Sequence, residues 1–126
     1  MSGIPQFNLP AFDAAAEYLR GRGLQIVSPA ELDSWKVRRH CLASRDGRDM
    51  PVGHTWGDFL ARDVKIVADQ VTGLILLDGW MGSRGARLEV FVALLAGREF
   101  MRYKTGKPPE DLHPDTVRGY LRSNLP

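Results

Sequence analysis

Two carboxylates, Glu89 and Asp63, stand where the sequence could support chemistry. Glu89 follows the apolar run Gly73-Leu74-Ile75-Leu76-Leu77 and a glycine-rich stretch from Gly79 to Gly85 that carries Trp80, Ser83 and Arg84. A short apolar run of this kind reads as a strand buried on both faces of a parallel sheet. In open α/β sheets, ligands bind beyond the C-terminal ends of the strands. The glycines would let backbone N–H groups approach a ligand, and the following helix would aim its positive end at the same place. A carboxylate at that position can attack a sugar anomeric carbon, where the transition state is oxocarbenium-like and a negative charge stabilises it. It can also be an ordinary glutamate in the first turn of a helix, favoured by the macrodipole. Periodicity alone favours the ordinary role.

Asp63 falls on a helix expected from Thr55 to about Asp69, with Phe59 and Val67 as its i−4 and i+4 neighbours. An aspartate beside an apolar face is more often paired or half-exposed than catalytic. It serves as a general acid only if its pKa is raised. His54 and Trp56 flank the start of this helix. His40, His54 and His113 lack metal-ligand spacing and Cys41 is the only cysteine, which argues against a structural zinc site and against an internal disulfide. No phosphate-binding loop, no Gly-x-Ser-x-Gly elbow and no internal repeat is present.

The elements that must position these residues follow from the pattern. Asn8 or Leu9 caps a first helix, with Pro10 in its first turn and Phe12, Ala15, Ala16 and Leu19 on its apolar face. Gly21 and Gly23 end it. Leu24–Val27 reads as a short strand, stopped by Ser28-Pro29, and 30–35 as a helical turn. The stretch 38–53 shows no clear period and reads as a long loop. Thr55 and Asp58 form a capping box for the next helix, whose apolar face is Phe59, Leu60, Val64 and Val67, with Ile66 off to one side. After the strand 73–77 comes a helix over 86–96, with Leu88, Val92 and Leu95 on one face. Another strand over 98–103, a proline-containing connector over 105–113 and a terminal helix over 114–122 complete the chain. This alternation predicts an α/β fold: a three-layer sandwich with a parallel, flavodoxin- or Rossmann-like sheet and helices on both faces. Residues 1–103 form the α/β body, and 104–126 a connector and short helix of the same domain.

With 126 residues, 44% hydrophobic and 25% charged, the chain has the composition of a soluble globular domain rather than a disordered or membrane-spanning one. A single cysteine and the lack of a signal peptide pattern make the cytoplasm the default. A net charge of +2 is too weak to argue for nucleic acid. Arg38, Arg39, His40, Arg45 and Arg48 nevertheless cluster in one stretch; a solvated loop is the plain reading and a phosphate site the sharper one.

Several blocks together resemble a known family. They are the opening Met1-Ser2-Gly3-Ile4-Pro5-Gln6-Phe7-Asn8-Leu9-Pro10-Ala11-Phe12, then Val27-Ser28-Pro29-Ala30-Glu31-Leu32, then His54-Thr55-Trp56 with Arg62-Asp63-Val64, and finally Leu76-Leu77-Asp78-Gly79-Trp80 with Ser83-Arg84-Gly85-Ala86-Arg87-Leu88-Glu89. The last block is the most specific. The chain resembles the nucleoside 2-deoxyribosyltransferase-like proteins over roughly 1–103, and more closely a phage and bacterial branch filed as domain of unknown function 4406, in which a proline often replaces Asp78. The resemblance implies an enzyme that transfers 2-deoxyribose between bases or hydrolyses the N-glycosidic bond of deoxynucleoside 5′-monophosphates. It implies Glu89 as nucleophile and Asp63 as the group that helps protonate the leaving base. It places Ser83 and Gly85 at sugar or phosphate, and implies no metal or organic cofactor. Gly79, Trp80, Ser2 and Gly3 join the candidate substrate-binding residues, with His54 and Trp56 added from their placement. Relatives are commonly dimers, so a homodimer is expected, with the helix over 86–96 as its candidate interface. The family also has a strand before the Ser2-Gly3-Ile4-Pro5 segment, absent from this sequence; a start upstream of Met1 is the preferred explanation, and a truncated domain the other. A non-catalytic nucleotide-binding module is the second functional reading. A DNA-associated protein ranks last, because nucleic acid has only the basic stretch to support it.

Overall fold

The computed structural model describes residues 5–124, and the chain divides into two compact units, Met1–Phe59 and Leu60–Pro126.

In the first unit, helix α1 (Leu9–Gly21) carries Pro10 in its first turn and buries Ala15, Ala16 and Leu19 as its apolar spacing predicts; Phe12 of the expected face is partly buried, and Leu9, expected only as a cap, is buried as well. The start differs from expectation. Asn8 precedes the helix, but its side chain makes no capping bond. Gln6, Phe7 and Asn8 all have left-handed backbone, with φ of 58°, 51° and 60°, at a cost of roughly 1–2 kcal/mol per residue. Burial of Phe7 and Leu9 offsets that cost. So do hydrogen bonds from Gln6 N to Ser44 O (2.8 Å) and from Gln6 Nε2 to Leu42 O (3.0 Å).

The segment 24–27 is not a strand. A ladder needs a neighbour to pair with, and no strand exists among the described residues of this unit. The Arg20 guanidinium donates to Ile26 O at 2.8 Å instead. The expected helical turn appears as a 3-10 turn at Pro29–Leu32. The expected long loop is shorter, because Trp35–Ala43 forms helix α2. Ser34 caps it by accepting from Val37 N at 3.3 Å, and Val37 and Cys41, one turn apart, supply its buried stripe. Phe7, Leu9, Ala30, Val37 and Cys41 form the core of this unit, with Phe12, Met50 and Phe59 packed against it.

The boundary between the units falls within helix α3 (Trp56–Asp69). Its start is the expected capping box: Asp58 N donates to Thr55 Oγ1 (3.1 Å), and Thr55 N donates to Asp58 Oδ2 (2.9 Å). Strand β1 (Gly73–Leu77), helix α4 (Arg84–Leu95), strand β2 (Glu99–Tyr103), strand β3 (Glu110–Leu112) and helix α5 (Pro114–Asn124) follow. The fold is thus mixed α/β with a small sheet in the order β1-β2-β3. β1 and β2 are parallel, and β2 and β3 antiparallel, so the all-parallel expectation holds only for the first pair. The connector over 105–113 hides β3 because Glu110 and Asp111 have poor strand propensity. Tertiary pairing overrides it: Leu112 stands opposite Phe100, and Glu110 opposite Arg102, an opposite-charge pair that suits an edge. β1 is also an edge strand among the described residues, and only Leu76 in it is buried, which corrects the expectation of burial on both faces.

Gly73 is required where β1 meets β2. A Cβ there would lie 2.8 Å from the backbone oxygen of Glu99, its partner in the ladder. Gly73→Ala is therefore expected to lower stability by about 1–3 kcal/mol. Urea unfolding checks this, and an unchanged midpoint would mean that the two strands can separate locally at no cost.

The core of the second unit is Val67, Leu76, Val90, Ala93, Phe100, Val117 and Leu121. Ile66 is buried beside Val67 rather than off to one side. On α4 the buried residues are Val90 and Ala93, whereas Leu88 and Leu95 are exposed. The helix is apolar on most of its circumference, so size was a poor guide; the fully buried Ala93 lets the helix lie close to its neighbours. Arg98 reaches back from the start of β2. Its Nε donates to Val67 O at 3.1 Å and its Nη2 to Ala68 O, which supplies partners for carbonyls of the last turn of α3. Among the described residues, no helix is long and apolar enough to cross a membrane.

Candidate active site

Asp63 and Glu89 both belong to the second unit. Asp63 lies one turn before the core residue Val67 on α3, and Glu89 immediately precedes the core residue Val90 on α4. Anchoring through that core sets where both carboxylates stand. Asp63 is buried, at 8% exposure, and Arg62 Nε donates to its Oδ1 at 2.9 Å. A buried carboxylate requires such a partner. Glu89 is half-buried, and its pKa is pushed up to about 7. Burial is the larger cause and the negative charge of Asp63 the second; the Arg62 guanidinium opposes them. Near neutral pH, Glu89 therefore divides between a protonated and an ionised form.

The loop from β1 to α4 leads into the helix that carries Glu89. Gly79 has φ of 83°, a conformation that favours glycine, and it starts a 3-10 turn at Trp80–Gly82. Ser83 then caps α4 by accepting from Ala86 N at 3.2 Å. The helix starts at Arg84, two residues earlier than its apolar pattern suggests, so Glu89 lies in the second turn and the first turn holds no acidic residue. That placement weakens the ordinary macrodipole explanation, which applies within the first turn and would favour the ionised form, opposite to the shift found.

The remaining candidates divide. Gly79 and Ser83 lie between β1 and α4, and Gly85 lies in the first turn of α4. Trp80 packs edge-on against Tyr120 of α5, with ring centroids 6.5 Å apart, and against the core, so its indole has a packing role. His54 and Trp56 belong to the first unit; both are exposed, and His54 stacks on Phe59 at 5.4 Å. Ser2 and Gly3 lie outside the described residues. Sequence reasoning gave Arg62 no role, although its position next to Asp63 was a usable signal. A cleft of roughly 600 Å³ in the first unit is lined by Asp13, Glu17, Arg20, Glu31 and Arg38. Its charges largely satisfy one another, through Arg20–Glu31 at 2.7 Å and Arg38–Asp13 at 2.6 Å, so it has the character of an ion-paired surface and not of a reaction centre. Among the described residues, no three His, Cys, Asp or Glu side chains come together as a metal site.

The family model described as a domain of unknown function, DUF4406, matches residues 1–101. The chain belongs to the DUF4406 family. That match spans α1 to β2 and includes both carboxylates of the candidate site. No curated protein and no solved structure matches this DUF4406 chain.

Proposed function

We propose that this DUF4406 protein cleaves the N-glycosidic bond of a 2′-deoxynucleoside or its 5′-monophosphate, with Glu89 as nucleophile. The observation that carries the reading is the half-buried Glu89 carboxylate beside the charge of Asp63, next to the glycine-rich turn that follows β1. The sequence resemblance to the nucleoside 2-deoxyribosyltransferase-like proteins supports it. The parallel pair β1 and β2 joined by α4 supports membership of a larger three-layer, flavodoxin-like sandwich.

In the proposed reaction, the ionised Glu89 attacks C1′. The C1′–N bond breaks, its electron pair leaves on the base, and a proton delivered with the help of Asp63 neutralises that base. Water or a second base then attacks C1′, breaks the glycosyl ester and returns Glu89 as a carboxylate, giving hydrolysis or transfer respectively. No metal or organic cofactor enters these steps. The exposed stripe Leu88, Phe91 and Leu95 on α4 supports association of two copies.

The test is chromatographic detection of free base after incubation with a panel of 2′-deoxynucleosides and their 5′-monophosphates. Because only ionised Glu89 attacks, kcat/KM is expected to rise about tenfold per pH unit at low pH and to level off above about pH 7. A flat profile from pH 5 to pH 8 would remove Glu89 from the nucleophile's role.

One observation favours a second reading, a nucleotide-binding module without turnover. Asp63 is paired with Arg62, and a carboxylate held in an ion pair is a poor proton donor. Ligand binding without base release would establish that reading.

A further inference from the structure

Helix α2 displays a mixed aromatic and basic face that the site above does not use. At 100° per residue, Val37, Cys41 and Ser44 fall on one arc, and all three are buried. Trp35, Lys36, Arg39 and Leu42 fall on the opposite arc, and all four are exposed. Trp35 is 67% exposed, unusual for the largest apolar side chain. Lys36 Nζ lies 5.7 Å from the centre of its ring. The turn after the helix adds Arg45 and Arg48, also exposed. That turn is pinned to α2: Ser44 Oγ donates to the Asp49 carboxylate and accepts from Gly47 N at 3.0 Å, and His40 Nε2 lies 3.2 Å from Asp49 Oδ2.

The charge on this face is unbalanced. The neighbouring acids are engaged elsewhere: Glu31 with Arg20, Asp33 with the charge of Arg38, Asp49 with Ser44 and His40, and Asp46 with the backbone N–H of Arg48. The charged side chains of Lys36, Arg39, Arg45 and Arg48 have no carboxylate partner among the described residues. Four unpaired cations around an exposed indole complement a chain of phosphates that carries flat, unstacked rings. A duplex hides its ring faces, and a purely acidic peptide offers nothing to stack. We infer that the α2 face, with Trp35 as stacking platform and Lys36, Arg39, Arg45 and Arg48 as phosphate contacts, binds single-stranded nucleic acid. The arginines of this stretch had only their number to speak for them in the sequence; the exposed indole on the same face adds the chemistry.

The test is fluorescence anisotropy of a labelled oligothymidylate of about 20 nucleotides, long enough to cover one such platform, titrated with the full chain at low salt. Binding is expected, and its affinity is expected to fall with salt at a log–log slope of about −3 for four phosphate contacts on a single strand. Trp35→Ala is expected to weaken binding about tenfold or more, and Trp35→Phe to restore most of it, as stacking requires. Arg45→Ala with Arg48→Ala is expected to weaken binding and flatten the slope. Glu89→Gln is expected to bind like the wild type, so this inference and the glycosidase reading fail separately. No binding at low salt would overturn the inference. So would equal affinity for the Trp35→Ala chain or for a duplex of the same length, or equal affinity for polyglutamate, which would mark the face as a site for acidic protein.

Discussion

Glu89→Gln is expected to abolish base release, lowering kcat by at least about a thousand-fold while leaving substrate binding within a few-fold of wild type. Glutamine keeps the shape of the side chain and loses the negative charge and the nucleophilic oxygen. It cannot form the glycosyl ester or stabilise an oxocarbenium-like transition state electrostatically. Asp63→Asn should behave differently. In the proposed reaction it removes the group that assists departure of the base, so its defect should be larger for poor leaving bases than for good ones. It should also lower the pH at which the rate levels off, because the charge of Asp63 is one of the two causes raising the Glu89 pKa. Steady-state rates on two bases of different leaving ability, with each variant, check both expectations. Retention of more than a tenth of the activity in Glu89→Gln would mean that another group attacks.

The same substitution is expected to stabilise the protein above neutral pH. The folded-state pKa of Glu89 is about 7, against an ordinary value of 4.5, so the folded state binds the proton more tightly than the unfolded state. The stability linked to that proton is fully present below the unfolded value and is lost as pH rises through the folded one. Above about pH 7, ionised Glu89 costs roughly 3 kcal/mol, from 1.36 kcal/mol per pKa unit. Glutamine does not ionise. Urea unfolding at pH 8 should show the variant more stable by about 2–3 kcal/mol, and at pH 4 the two chains should differ little. Equal stabilities at both pH values would mean that Glu89 is not desolvated in the folded protein. A residue whose removal both stops turnover and stabilises the fold is held for its chemistry.

The parts of the fold that were legible in the sequence are those written in local terms. The Thr55–Asp58 capping box, the apolar stripe of α1 and the run Gly73–Leu77 each specify their element without help from distant residues. The parts that were not legible depend on tertiary partners. Segment 24–27 has strand composition but no strand to pair with among the described residues. Glu110 and Asp111 have the opposite composition and still form β3, because β2 offers them a ladder. α2 was hidden because its buried stripe is only Val37 and Cys41, set among arginines.

For the candidate site, Glu89 could be named from the last resemblance block and Asp63 from the block before it, but their environment could not. Burial of Glu89 and the charge of Asp63 beside it arise only when α3 and α4 pack on one core. The turn of α4 in which Glu89 sits was displaced by one. Apolar periodicity starts at Ala86, whereas the helix starts where Ser83 caps it.

The Arg98 bridge has a consequence for how the second unit moves. Its guanidinium holds carbonyls near the end of α3, while Arg98 itself directly precedes β2, whose first residue donates to Thr72 O at 3.1 Å. Fraying of the last turn of α3 and release of the start of β2 are therefore one opening event, in which these partly buried hydrogen bonds are lost together. Asp63 lies one turn upstream of Val67, so the clamp that stops α3 from fraying also limits the wobble of the carboxylate whose charge helps raise the proton affinity of Glu89.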